Sequence, residues 1–495
     1  RRRPLNQNYK SGNVGDFLRR WGKDYPYMVV LDADSLMSGD SLIKMVQLMQ
    51  RHPRVGILQS SPSLMNGHSV FARVQQFSNQ LYGPLFTTGL AAFQLGDAAF
   101  WGHNAILRNQ PFMQHCGLRK LPGWGLFRGP ILSHDFVEAA YIARAGYEVW
   151  LEPELKQSYE ESPPTLVEEL TRDKRWAKGN LQHLWLMLRS RRLHMVHRMA
   201  FLNGVMSYAA SPLWLAFLVL ATIAAARMVI FPIDYFPNPY QLHPVWPEWE
   251  PLRALALILV TLFIPKFLAV FDAISHGRAR GFGGMLRMQV SVFMEMLISA
   301  LLAPIRMLSH TRFVLEALFN LKLKWAGQNR SGESGWGEAF LNQAFGTVLA
   351  LSWITFAYWI DPMFFIWSLP VAIPLIFAAP IFVLLSRIQA GQHLKRWGLL
   401  RIPEETDGSP LLNDLADNPI RHRAHPRLSA FTASIIDPRL NALHVAQART
   451  LRGSVRMANL QALRERCLAE GVDHLSAAER NLLARDAPSL AWLHQ

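Results

Sequence analysis

Long apolar segments constrain this chain more than any other feature of its sequence. Between about residues 199 and 387, uninterrupted apolar runs reach the length that crosses a bilayer. We predict four spans, forming a helical transmembrane bundle, at about residues 201–226, 252–273, 344–360 and 363–386. The domain organisation is therefore residues 1–198, a membrane region over 199–387, and a tail over 388–495.

Basic residues indicate how the bundle is oriented. The net charge is +15, and clusters occur at Arg1–Arg3, Arg189–Arg192 and Arg421–Arg427. Nucleic-acid binding is one explanation, but no nucleic-acid motif accompanies the clusters, and the second precedes an apolar run. Positive cytoplasmic loops explain them better. We expect contact with membrane lipid, no nucleic-acid partner, and cytoplasmic soluble parts.

Residues 288–324 are ambiguous, because they are apolar yet contain Glu295, Pro304 and Arg306. A full crossing would place the basic residues that follow on the outer side, against the positive-inside rule. We therefore predict a re-entrant or interfacial element.

The soluble parts have different patterns. Residues 1–198 alternate strand and helix signals and predict a mixed α/β domain. Residues 388–495 are polar, with a helical pattern and a capping box at Ser476–Glu479, and we expect solvated helices there. Cys116 and Cys467 support neither a disulfide framework nor a thiolate metal site. The first residue is not Met and no signal peptide is visible, so we expect part of the protein to lie upstream.

Two carboxylates follow the first strand candidate. The run from Tyr27 to Leu31 predicts a strand buried on both faces, with Asp32 and Asp34 at its carboxyl end. Residues i and i+2 project to one side, so both carboxylates can reach one hard cation and the phosphates that it bridges. The alternative is a turn in which Asp34 and Ser35 cap the next helix.

Two short segments offer binding groups. In Lys10-Ser-Gly-Asn13, Lys10 can pair with a phosphate and Asn13 can donate and accept hydrogen bonds, although the segment by itself is a plain loop. In Trp101-Gly-His-Asn104, an aromatic ring beside His103 and Asn104 suits a sugar-binding turn. A histidine satisfied within the core is the alternative.

Two later segments offer catalytic and anion-binding groups. Asp135 in Ser133-His-Asp135 can act as a general base at a helix start, or Ser133 or Asp135 can simply cap that helix. Arg172, Arg175 and Trp176 can share one helix face, where guanidiniums bind phosphates and the indole stacks. The alternative is a basic amphipathic helix on anionic lipid.

The order of these motifs resembles the processive membrane-embedded family 2 glycosyltransferases. Longer segments look like the glucans biosynthesis glucosyltransferase H family within it: Trp101-Gly-His-Asn-Ala105, Ser133-His-Asp-Phe-Val-Glu-Ala139, Ser158-Tyr-Glu-Glu161, and Arg175-Trp176 with Gly179-Asn-Leu-Gln-His183. The chain departs from the wider family where Ser133-His134 replace Thr-Glu and Arg172 replaces Gln. It departs from the narrower one where Ala177-Lys178 replace Cys-Gln.

The resemblance implies a GT-A-like domain, truncated at its N-terminal side, that uses UDP-glucose. It implies an inverting hexosyltransferase that elongates the β-1,2 backbone of osmoregulated periplasmic glucans, in the inner membrane of Gram-negative bacteria, coupled to export. A glucan-processing protein in the periplasm is an expected partner. The implied roles are a base, Asp135; Mg²⁺ or Mn²⁺ ligands, Asp32 and Asp34; donor-binding residues, Lys10, Asn13, Asp32, Asp34 and Arg175; and acceptor-binding residues, Trp101, His103, Asn104, Arg172 and Trp176.

Two other functions stay open from the sequence. One is a related synthase, like cellulose or hyaluronan synthase, that uses a different sugar nucleotide. The other is a non-catalytic membrane transporter or scaffold. By the same resemblance, residues 325–339 correspond to a gating loop, and Lys266 and Glu295 are expected to line an export path, unless Lys266 snorkels to the membrane surface.

Overall fold

A computed structural model describes residues 9–231, 250–321, 332–417 and 428–495. The clusters at Arg1–Arg3 and Arg421–Arg427, and residues 325–331 of the expected gating segment, lie outside this part of the chain. The described residues divide into two compact units. One contains helix α1 (Tyr9–Trp21) and the C-terminal helices, and the other contains the described residues from Tyr27 to Asp414.

The α/β part of the second unit contains three sheets in its described residues. Its strands are β1 (Tyr27–Val30), β2 (Leu36–Met37), β3 (Val55–Ser60), β4 (Ser63–Met65), β5 (Ala105–Arg108), β6 (Leu121–Pro122), β7 (Arg128–Gly129), β8 (Glu148–Glu152) and β9 (Ser158–Glu161). The main sheet has the order β1-β5-β3-β8, in which β3 pairs parallel with β8 and antiparallel with β5. A smaller sheet has the order β2-β9-β4, in which β9 pairs antiparallel with β2 and parallel with β4.

Strand β1 exists where the sequence predicts it, but it is not buried on both faces. It pairs only with β5, antiparallel, and is the edge strand of the described sheet. Burial alternates along it: Met28 and Val30 face the core, whereas Val29 is 38% exposed. The prediction was wrong because an apolar run does not distinguish an edge strand from a central one.

Helices of this part begin where polar side chains cap them. The helices are α2 (Gly39–Arg51), α3 (Val70–Gln94), α4 (Asn109–His115), α5 (Asp135–Arg144) and α6 (Leu166–Arg189). Ser38, Ser69 and Thr165 each accept a hydrogen bond from the backbone N–H three residues later and start α2, α3 and α6.

Long apolar helices follow. They are α7 (Met195–Ile230), α8 (Glu250–Ser275), α9 (Met285–Leu318), α10 (Trp336–Ile360), α11 (Pro362–Ile376) and α12 (Ala378–Ser386). Four helices of the described chain are long and apolar enough to cross a membrane, and a fifth crossing is possible if α11 and α12 form one span bent by 52°. The predicted architecture, an α/β domain followed by apolar helices and a helical C-terminal region, is confirmed.

The segment over 288–324 contains a continuous helix through residue 318 rather than a broken element. Helix α9 runs for 34 residues through Pro304 and is among the helices long enough to cross. Its polar residues are paired: Glu295 accepts hydrogen bonds from Lys266 at 2.6 and 2.7 Å, and Arg306 donates to Glu169 at 2.9 Å. Lys266 therefore pairs rather than snorkels. Whether α9 crosses the bilayer or lies at its surface stays a prediction.

The tail is more than solvated helices. Its first part, α13 (Ile388–Arg396) and α14 (Pro403–Thr406), lies in the second unit, and α15 (Pro410–Asp417) follows. In the other unit are α16 (Ala430–Ile436), α17 (Pro438–Gln447), α18 (Ser454–Glu470), α19 (Ala477–Ala484) and α20 (Ala487–His494). These helices bury their own core around Phe431, Leu460 and Leu483. The predicted capping box of Ser476 and Glu479 is present.

Candidate active site

The turn over residues 101–104 is held by a buried glutamine at the end of β3. Gln59 is fully buried; its Oε1 accepts from the Trp101 N–H at 2.9 Å, and its Nε2 donates to the His103 carbonyl at 2.9 Å. Gly102 adopts φ +90°, a conformation that side chains disfavour. Gln59 thus fixes the turn from its buried side, and the side chains of Trp101 and His103 are partly exposed.

Asn104 is different from its neighbours, because it is fully buried. Its Nδ2 donates to Ser158 Oγ at 2.8 Å and to the Tyr159 carbonyl at 3.2 Å, and its Oδ1 lies 3.1 Å from His103 Nδ1. These contacts tie the turn to strand β9. Asn104 therefore positions the turn. Its direct contact with an acceptor sugar stays a prediction.

Glu160 on β9 brings several candidates into one neighbourhood. His103 Nε2 lies 3.3 Å from Glu160 Oε2. Burial raises the pKa of Glu160; the negative charges of Asp34 and Asp32 raise it further, and His103 and Arg172 oppose the shift. Carboxylates from the first strand end, the turn histidine and an arginine of α6 therefore lie within electrostatic reach of one side chain.

Asp32 and Asp34 lie in a tight turn after β1. The Asp32 N–H donates to Ser35 Oγ at 3.1 Å, and the Ser35 N–H donates back to the Asp32 carbonyl at 3.2 Å. The next helix, α2, is capped by Ser38, so the alternative in which Asp34 and Ser35 cap it is wrong. Both aspartates are partly exposed.

Asp135 begins helix α5 and lies directly against the turn. A Cβ atom on Gly102 would stand 2.5 Å from Cγ of Asp135 and 2.6 and 2.7 Å from its two oxygens. The carboxylate thus packs on a backbone that only glycine leaves open. Its Oδ1 is buried and accepts no hydrogen bond from the described residues. The N-cap residue is His134, without a side-chain bond, so neither Ser133 nor Asp135 caps the helix as the alternative proposed.

His134 lies between two acids. Its Nδ1 is 3.1 Å from Asp135 Oδ1 and 3.1 Å from Glu138 Oε1. Within the described residues, His134, Asp135 and Glu138 each offer one potential metal-ligand atom, and these three atoms lie within 4.8 Å of one another. Residues i, i+1 and i+4 of a helix start adjoin whether or not a metal binds, so we interpret the trio as a polar cluster in which His134 lies beside Asp135.

Helix α6 carries the arginines and the indole. The Arg172 guanidinium lies over the Trp176 ring, 4.2 Å from its centroid, and Trp176 remains 47% exposed. Arg175 is half-buried, and burial followed by the charge of Arg172 lowers its pKa. The predicted shared face is confirmed for this trio. Lys10 and Asn13 lie on α1, in the other unit, and are helical rather than in a loop; their donor-binding role stays a prediction.

The electrostatics fit a hard divalent cation beside Asp32 and Asp34. Hard cations such as Mg²⁺ bind through carboxylate oxygens, and the negative charges of Asp34 and Asp32 add to the effect of burial in raising the pKa of Glu160. A bound cation would offset that negative charge. The sequence analysis gave no role to Gln59 or Glu160. Glu160 could have been found, because it lies in the Ser158-Tyr-Glu-Glu161 segment that resembles the family.

Comparison with known proteins agrees with this arrangement. Residues 27–268 match the family model described as glycosyl transferase family group 2. The matched region includes the two aspartates, the turn, Asp135 and helix α6.

Several curated relatives are similar over nearly the whole chain. A protein named glucans biosynthesis glucosyltransferase H from Cupriavidus pinatubonensis is 44% identical over 98% of this chain and 56% of its own length. Proteins of the same name from Pseudomonas aeruginosa and Pseudomonas putida are also 44% identical, over 100% of this chain and 58% of theirs. The chain thus spans just over half the length of these relatives.

Proposed function

The chain belongs to glycosyltransferase family group 2, among the glucans biosynthesis glucosyltransferase H proteins, and we propose that it transfers glucose from UDP-glucose to a growing β-glucan. One observation supports this most strongly. Asp34, Asp32, His103 and Arg172 lie within electrostatic reach of Glu160, while Asp135 packs on the same turn that carries His103. Five separate stretches of sequence thus supply one polar site.

At the donor end, Asp32 and Asp34 would hold Mg²⁺ or Mn²⁺, which when bound neutralises the diphosphate and stabilises UDP as a leaving group. Arg175 adds positive charge next to Arg172 on α6. Glu160 and His103 form the floor beside these groups, at 3.3 Å from each other. Lys10 and Asn13 remain proposed donor-binding residues.

At the reacting centre, Asp135 takes the proton of the acceptor hydroxyl while that oxygen attacks the anomeric carbon. The bond from the anomeric carbon to the UDP oxygen breaks, UDP departs, and the configuration inverts. Asp135 suits this role because its carboxylate packs against Gly102, in the turn that carries the proposed acceptor contacts Trp101 and His103. His134 holds the carboxylate from the side, at 3.1 Å.

At the acceptor end, Trp176 offers a half-exposed indole on which a glucose ring can stack. Trp101 and His103 would contact the sugar from the turn, and Arg172 holds the indole in place. We further propose that the linkage is β-1,2, that the enzyme lies in the inner membrane with its α/β domain in the cytoplasm, and that the glucan leaves through the spans. The paired Lys266 and Glu295 of α8 and α9 are proposed to line that path, and a periplasmic protein to process the product.

A donor screen tests this proposal. Membranes carrying the intact protein are given labelled UDP-glucose, UDP-N-acetylglucosamine or UDP-galactose, and the product linkage is determined. We expect incorporation from UDP-glucose into a β-1,2 glucan. In the same membranes, Asp34→Ala should abolish metal-dependent UDP binding. Incorporation from another donor would indicate the related synthase, and no turnover with any donor would favour the transporter or scaffold.

A further inference from the structure

One face of helix α6 has no role in the reaction described so far. Gly179, Gln182 and His183 lie at positions i, i+3 and i+4 and therefore on one side of the helix. All three contact the segment Leu126–Ser133, which leads directly into Asp135. That segment contains little regular structure, so its backbone needs other hydrogen-bond partners.

Gln182 supplies most of those partners. It is buried, and its Oε1 accepts from the Leu132 N–H at 3.0 Å. Its Nε2 donates to the Leu126 carbonyl at 3.3 Å and to the Pro130 carbonyl at 3.2 Å. One side-chain amide thus fixes three points along seven residues of backbone.

His183 fixes the next point, Ser133, two residues before the first residue of helix α5. The ring is fully buried, and its Nε2 lies 2.8 Å from the Ser133 carbonyl. Burial lowers the pKa of His183 to about 4, so the ring is neutral at neutral pH and its Nε2–H donates to that carbonyl. Nδ1 then carries no proton, consistent with its lack of a hydrogen-bond partner among the described residues.

Gly179 allows the segment to approach the helix. A Cβ atom there would stand 2.8 Å from the Ser133 backbone nitrogen and would overlap its side-chain oxygen. The backbone at Ser133 is therefore pressed onto α6. His134 and Asp135 follow immediately, and the N-terminus of α5 has no side-chain cap of its own to set its position.

We propose that Gln182 and His183 are positioning residues for Asp135, and that they fix its carboxylate relative to the arginines and the indole of α6. The inference rests on the proposed function. The same helix, α6, carries Arg172, Arg175 and Trp176 and, about two turns later, the two positioning residues. Through this helix, the residues proposed to bind the diphosphate and the acceptor keep a fixed distance from the base.

The test compares His183→Leu with His183→Gln in the intact membrane protein. Because a misplacement of about 1 Å can cost about 10²-fold in rate, we expect His183→Leu to lower kcat by about that factor, with the KM for UDP-glucose and the Kd for UDP within about twofold of wild type. The Gln side chain also ends in an N–H donor, so His183→Gln should recover most of kcat. Gln182→Leu should resemble His183→Leu.

His197→Leu is the matched control. His197 is likewise a buried histidine near the start of the next helix, but its Nε2 lies 3.7 Å from Asp97 Oδ1 and makes no hydrogen bond within the described part of the chain. Its loss should leave kcat, normalised to UDP-binding protein, unchanged. If His183→Leu fails to fold, kcat for Gln182→Leu decides in its place.

The outcomes separate the two proposals. If the wild-type protein transfers no glucose, the proposed function fails. If wild type is active, Asp135→Asn is inactive and His183→Leu is as active as His197→Leu, the positioning role is overturned while the function stands. A loss of kcat and a parallel loss of UDP binding would also overturn it, since that pattern indicates general damage.

Discussion

Replacing Gly102 by alanine should disable the base without touching the donor site. The new methyl carbon would stand 2.5 Å from Cγ of Asp135 and 2.6 and 2.7 Å from its oxygens. Favourable contacts between such atoms begin at about 3.5 Å. The carboxylate must therefore move by about 1 Å, or the turn must move by the same amount.

That displacement sets the size of the effect. A shift of about 1 Å in a reacting group can cost about 10²-fold in rate, which corresponds to about 2.7 kcal/mol of transition-state stabilisation. The positive φ of Gly102 adds a separate cost of about 1–2 kcal/mol to folding. UDP binding should hold, because Asp32, Asp34 and Arg175 are not displaced.

The assay measures incorporation of labelled glucose by membranes, normalised to the amount of UDP-binding protein. Gly146→Ala is the matched control: Gly146 has φ +91° in the same domain, but a Cβ atom there meets nothing within 4 Å. Both variants carry the same backbone strain, and only one meets Asp135. Equal activity of the two would refute the role that we assign to the Gly102–Asp135 contact.

Three further outcomes are expected. Glu405→Gln leaves the buried guanidinium of Arg73 without its ion pair at 2.9 Å, and should lower the free energy of unfolding by about 3 kcal/mol, read from thermal or denaturant unfolding in detergent. Trp176→Leu removes the stacking surface next to Arg172 and should raise the acceptor KM about three- to tenfold, with UDP binding unchanged, in initial-rate assays. Burial lowers the pKa of His183 from 6.5 to about 4, so between these pH values the unfolded chain binds a proton at this site and the folded chain does not. The free energy of unfolding should therefore fall as the pH drops from about 6.5 to 4, and it should fall less steeply in His183→Gln.

Each of these outcomes has a comparison that can contradict it. Arg54→Gln breaks a surface ion pair with Glu148 and should cost less than about 1 kcal/mol; an equal loss in Glu405→Gln would contradict the argument from burial. A weaker UDP affinity in Trp176→Leu would move the indole to the donor end. An unchanged pH slope in His183→Gln would show that other groups control acid stability.

Much of the site could be predicted from sequence because its chemistry lies in short motifs. Asp32, Asp34, Asp135 and the α6 pair Arg172 and Trp176 lie at a strand end, a helix start and one helix face, where local spacing determines direction. The helical and strand elements around them have clear periodicity and capping residues.

The remaining features depend on contacts between distant parts of the chain. Gln59 holds the turn from a strand more than 40 residues away, and nothing in its neighbourhood marks it as different from other buried strand residues. The exposed face of β1 follows from its edge position, which a run of apolar residues does not encode. Likewise, Arg306 looks out of place in an apolar helix until its partner, Glu169, is known.

The most direct test of the account measures UDP binding and glucose transfer side by side in Asp135→Asn. The amide keeps the shape of the carboxylate but is a far weaker base, and Asp135 does not belong to the donor-binding set. We predict that glucose transfer is abolished while metal-dependent UDP binding matches wild type. Retained transfer in this variant would contradict the central claim that Asp135 is the base of the reaction.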